Sequence, residues 1–111
     1  MSEYNPDKWV VVKITGNDAP PVHKVFACWA GGYLDGDSWK LNSGITAVKE
    51  NTDYYFFDGS SGSCYACRKG MYGSTGYGYG VLKNLIDKAS NNGITIEILS
   101  EDTDWMEINY E

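Results

Sequence analysis

Apolar residues recur with a period of two along most of this chain and at helical spacing in one segment only. Trp9 to Ile14 is a β-branched run that predicts a first strand, and Gly16, Asn17, Asp18 and two prolines break it between Thr15 and Pro21. Val22 to Ala30 predicts the second strand. Val22, Lys24, Phe26 and Cys28 fall on one of its faces and His23, Val25, Ala27 and Trp29 on the other, so both faces should be partly covered. Asp35-Gly36 has the form of a two-residue turn, after which Trp39 to Val48 returns as a third strand. Tyr54 to Phe57 and Ser63 to Arg68 flank Asp58-Gly59-Ser60-Ser61-Gly62 as a second hairpin. Val81, Leu82, Leu85, Ile86 and Ala89 then repeat on one helical face, and Asn91-Asn92-Gly93 stops the helix, which is predicted over Val81 to Ser90. Ile94, Ile96 and Ile98 alternate as a further strand, and Trp105 to Tyr110 forms a short terminal one. The expected fold class is α+β: an antiparallel sheet of five to six strands with one α-helix packed on one face. Glycines at 31, 32, 36 and 44 would let that sheet bend strongly or curl toward a barrel.

The length of 111 residues fits one domain covering 1–111. Nine Lys and Arg against fifteen Asp and Glu give a formal charge of −6, which argues against nucleic acid as a partner, since phosphate binding needs a cationic face. No apolar run approaches the roughly 20 residues of a membrane span, so no membrane partner is expected. The opening Met1-Ser2-Glu3-Tyr4-Asn5-Pro6-Asp7-Lys8 lacks the basic and then apolar pattern of a secretory signal, which predicts a cytoplasmic protein. Three cysteines, an odd number, fit reduced thiols better than a disulfide framework.

Several constellations suggest chemistry and are better read as structure. Cys64-Tyr65-Ala66-Cys67 has the spacing of a redox dithiol or half a zinc site, but in a strand positions i and i+3 face opposite ways. Cys28 and His23 could complete four zinc ligands only on paper, because such pairs usually sit in a turn of their own. His23, the one histidine, has no local nucleophile or carboxylate to work with. Asp35 and Asp37 resemble the opening of a calcium loop, yet Trp39 stands at the third ligand position and no glutamate closes it. Gly73, Gly76, Gly78 and Gly80 precede a helix, but no Gly-Lys-Ser/Thr follows. No catalytic residue, metal ligand or cofactor is therefore assigned.

From Gly70 to Gly80 five glycines interleave with Tyr72, Tyr77 and Tyr79. Glycines let the chain cross closely over a sheet while the rings pack on it, which is the plainer reading; the other is a contact surface. Trp29, Tyr33, Trp39, Tyr72, Tyr77 and Tyr79 are more large rings than such a fold can bury, and Tyr and Trp concentrate binding energy. The contact residues expected are Tyr33, Trp39, Tyr72, Tyr77 and Tyr79. They suit a non-enzymatic module that binds a protein partner or itself as a homo-oligomer. The alternative is a small enzyme or small-molecule-binding protein whose pocket is formed by the glycine-rich loop.

The stretch Gly31-Gly32-Tyr33-Leu34-Asp35-Gly36-Asp37-Ser38-Trp39-Lys40-Leu41-Asn42-Ser43-Gly44-Ile45 resembles one in small uncharacterised proteins of tailed phages that infect marine cyanobacteria. Gly59-Ser60-Ser61-Gly62-Ser63-Cys64-Tyr65 and the following glycine and tyrosine loop are similar to their second recognisable segment. Neither is a catalytic motif. The resemblance implies a phage or marine environmental accessory protein working in the host cytoplasm, and it carries no assigned activity.

Overall fold

The computed structural model describes residues 3–16, 18–31 and 36–110. Its elements are β1 (Glu3–Tyr4), β2 (Lys8–Gly16), β3 (Ala19–Trp29), β4 (Ser38–Leu41), β5 (Ile45–Glu50), β6 (Tyr54–Gly59), β7 (Cys64–Arg68), α1 (Gly76–Asn91) and β8 (Ile94–Ile98). The α+β class is as expected, but the strands form two four-stranded sheets, ordered β4-β3-β2-β8 and β1-β7-β6-β5, and neither closes into a barrel. All pairings are antiparallel except β1 with β7.

The alternation in β2 and β3 builds three layers. Trp9, Val11, Val25 and Ala27 face the second sheet and pack with Ile45, Phe57, Tyr65, Cys67 and Trp105. Val10, Val12, Phe26 and Cys28 face the helix and pack with Leu82. The central sheet is thus covered on both faces, as two-sided apolar strands require.

Three expectations are corrected. The stretch from Trp39 to Val48 is two strands in different sheets, because Asn42-Ser43-Gly44 turns the chain from one sheet to the other, with Gly44 at φ 137°. The terminal segment is not a strand; it is a turn that drives Trp105, 1% exposed, into the layer between the sheets. The helix starts at Gly76, five residues before Val81, capped by Thr75, whose hydroxyl accepts the Gly78 N–H at 2.9 Å. Its end is as the sequence predicts: Asn92 caps it and Gly93 takes φ 76°.

His23 sits at one end of the inter-sheet layer, its ring edge-on to Tyr110 at 5.5 Å, with a buried Nδ1 that has no hydrogen-bond partner. Burial, and then the charge of Lys13, lower its pKa from 6.5. The unfolded chain therefore takes up a proton where the native state resists it, and stability is lost as pH falls below about 6.5. The melting temperature should drop between about pH 7.5 and 5.5, and His23→Gln should flatten that slope; an equal slope in the variant would assign the loss to other groups.

Candidate functional site

The glycine and tyrosine segment divides into two parts with different roles. Its first part, Met71 to Gly73, runs beside β2: Trp9 N–H donates to the Met71 carbonyl at 3.4 Å, and Gly73 N–H donates to the Trp9 carbonyl at 2.8 Å. Tyr72 is pinned there. Its hydroxyl accepts the Val11 N–H at 3.0 Å and donates to the Leu99 carbonyl at 2.6 Å, bridging β2 to the chain after β8. Its ring stands edge-on to Trp9 at 4.8 Å, and burial pushes the phenol up to about 12.

The second part is the first turn of α1. Gly78 is buried against β3, where an added Cβ would come 2.4 Å from Cys28 Sγ. Helical residues are about 100° apart, so Tyr77 and Tyr79 leave the helix on opposite flanks of the glycine that faces the sheet. Both are about half exposed, at 52% and 51%. Lys83 Nζ lies 6.0 Å from the Tyr79 ring centre.

Trp39 belongs to the same side of the molecule. It pairs with Cys28 across β4 and β3, and paired residues share a face, so its ring points to the helix side and stacks on Phe26 at 5.5 Å. It is 37% exposed, and β4 touches α1. Of the five expected contact residues, then, Trp39, Tyr77 and Tyr79 surround the start of the helix and Tyr72 lies inward of them. Tyr33, like Asp35 of the supposed calcium loop, lies outside the described residues.

No protein-family model, no curated protein and no solved structure matches this chain. Its chemistry must therefore be read from its own side chains.

Cys64 and Cys67 face opposite ways, as their strand spacing predicts: Cys67 is in the inter-sheet core and Cys64 is half-buried, paired across the strands with Asp58. Burial raises the pKa of all three thiols, with Asp58 adding to the effect at Cys64. A raised pKa lowers the thiolate fraction, the opposite of what a nucleophile or metal ligand needs. Among the described residues no group of three His, Cys, Asp or Glu side chains is placed to hold a metal ion, and no helix is long and apolar enough to cross a membrane.

The first part of the glycine-rich segment borders a small cleft of about 130 Å3, where Gly70 and Tyr72 meet Trp9, Tyr55, Lys69, Glu101 and Trp105. A larger one of about 450 Å3 is bordered by Asn5, Asp7, Tyr54, Arg68 and Met71, and another of about 260 Å3 includes Tyr4, Lys40, Asn42 and Tyr65. The last was not anticipated. Its signal in the sequence is Asn42-Ser43-Gly44, a turn tripeptide inside what reads as a continuous strand.

Proposed function

We propose that the protein is a non-enzymatic binding module that associates with a second copy of itself through β4 and the start of α1. The observation that carries this reading is Trp39, an exposed tryptophan on the terminal strand of its sheet. A terminal strand presents unpaired backbone groups, and Lys40 is the one residue of Ser38 to Leu41 of a kind that discourages pairing. Symmetric antiparallel pairing about an axis normal to the sheet keeps both helices on one side. One register that keeps every side chain on its proper face puts Trp39 opposite its counterpart and Ser38 opposite Lys40. Tyr77 and Tyr79 then flank an aromatic centre. On this reading the chain is an accessory protein of the kind its phage resemblance implies, working in the host cytoplasm.

Sedimentation across a concentration series tests it. The wild-type chain should shift from monomer to dimer, and moderate salt should not weaken the shift, because contact is by packing rather than attraction of charges. Trp39→Lys keeps an aliphatic stem over Phe26 but sets like charges opposite each other, and it should weaken the dimer by about tenfold or more. Tyr77→Ala and Tyr79→Ala should weaken association while leaving the melting temperature near that of the wild type. A chain that stays monomeric throughout, or variants that unfold without selective loss of association, would contradict the proposal.

A further inference from the structure

The small cleft beside the first part of the glycine and tyrosine segment is bordered by four aromatic rings. Its volume is about 130 Å3, and a cavity of about 150 Å3 is enough to take up benzene. Trp9 and Trp105, at 2% and 1% exposed, lie at its base, and the half-buried Tyr55 and Tyr72 stand at its sides. Tyr55 reaches Trp9 from β6, with ring centres 6.0 Å apart and planes at 66°. Tyr72 reaches it from the segment alongside β2, at 4.8 Å and 89°. The polar ends of two of these rings are already committed. The Trp9 indole N–H donates to the Arg68 carbonyl at 2.9 Å, and the Tyr72 hydroxyl is held between Val11 and Leu99. What these two offer a ligand is aromatic surface.

The charges around the cleft favour a cation. Lys69, which also borders it, pairs with Glu50 at 2.6 Å and places its Nζ over the Tyr55 ring, 4.8 Å from the centre. One wall therefore already holds an ammonium by the attraction of the ring's quadrupole. Glu101 borders the same cleft, and after burial its charge is the other influence that raises the Tyr72 phenol. Two carboxylates against one lysine leave an excess of negative charge here, in a chain whose net charge is −6. An ion pair as exposed as that of Lys69 with Glu50 is worth little, so Lys69 can swing out and leave the ring to a ligand.

We propose that this cleft binds a trimethylammonium group, which takes the place held by the chain's own Lys69. A primary ammonium carries three N–H donors that call for acceptors, and rings supply few. A trimethylammonium has no such donors and presents its charge to the rings through its methyl groups. Glu101 balances that charge from the rim. The site is separate from self-association, because its rings belong to the layer between the sheets whereas Trp39 points to the helix side.

The test is a titration of dilute, isotope-labelled protein with choline, followed by the indole signals of Trp9 and Trp105 and the amide signals of Lys69 and Gly70. These should shift saturably. The carbon analogue of choline, with a tert-butyl group in place of trimethylammonium, should bind about fivefold or more weakly. The amide of trimethyl-lysine presents the same group on a modified side chain; tighter binding than choline would assign the group to a methylated protein, and weaker binding to a free small molecule. Glu101→Gln, at an exposed position, should weaken choline binding by about threefold, and Lys69→Met, which removes the resident ammonium, should tighten it. Tyr55→Leu keeps an apolar side chain but removes a wall, so it should abolish saturable shifts; if it unfolds the chain, the carbon analogue and Lys69→Met decide. Absence of saturable shifts with both trimethylammonium compounds, equal binding of the carbon analogue, or weaker choline binding in Lys69→Met would each overturn the proposal.

Discussion

Trp105→Ala should destabilise the protein by about 3–5 kcal/mol, a large share of the roughly 5–15 kcal/mol that holds a domain of this size together. Trp105 lies in a turn, outside any strand or helix, yet its ring is 6.0 Å from Trp9, 5.8 Å from Tyr72 and 6.2 Å from Phe57, each measured between ring centres. It closes the layer between the sheets. Its carbonyl also accepts the Tyr110 hydroxyl at 2.7 Å, which ties the end of the chain to the same place. Removing the indole leaves a cavity among rings that cannot collapse onto one another without breaking the Tyr72 bridge between Val11 and Leu99. Met106→Ala, one residue away and 48% exposed, should stay within roughly 0.5 kcal/mol. Denaturant unfolding of both variants checks this, and similar losses from the two would mean that the terminal turn does not carry the core.

Two glycines in one helical turn should respond with opposite signs. Helix propensity alone favours Gly→Ala by about 1 kcal/mol wherever the site is open. Gly80 has nothing within 4 Å of an added Cβ, so Gly80→Ala should stabilise by up to about that amount. At Gly78 the same methyl would come 2.4 Å from Cys28 Sγ and 3.0 Å from Thr75 Oγ1, the helix cap. Overpacking of this kind costs about 1–3 kcal/mol and outweighs the propensity gain, so Gly78→Ala should destabilise. Adding Cys28→Ala should recover part of the loss, because it removes the sulfur that the methyl meets. Thermal melts of the three variants decide, and a stabilising Gly78→Ala would show that the helix does not approach β3 as closely as the glycine permits.

The legible parts of the fold were those governed by local period. The β6–β7 hairpin, β8 and the two-faced β3 follow from alternation, and the opposite facing of Cys64 and Cys67 follows from strand geometry. What escaped the sequence depended on contacts distant in the chain. Gly76, Gly78 and Gly80 read as loop because their propensity is poor, and only the close approach of Gly78 to Cys28 makes helix the better state. The segment from Trp39 to Val48 reads as one strand because alternation does not reveal a change of sheet; Asn42, hydrogen-bonded to both backbone groups of Val25, makes that change. Of the expected contact residues, the exposure of Tyr77 and Tyr79 could be anticipated from the number of rings. The inward pinning of Tyr72 could not, since Val11 and Leu99 are remote from it in sequence.

Amide hydrogen exchange as a function of protein concentration tests self-association through β4 most directly. If β4 pairs with its counterpart, protection of the Ser38–Leu41 segment should rise from low to high micromolar protein, while Ile94–Ile98, at the other end of the same sheet, should exchange at a constant rate. Exchange at Ser38–Leu41 that is fast and independent of concentration, or protection that rises at Ile94–Ile98 instead, would contradict it.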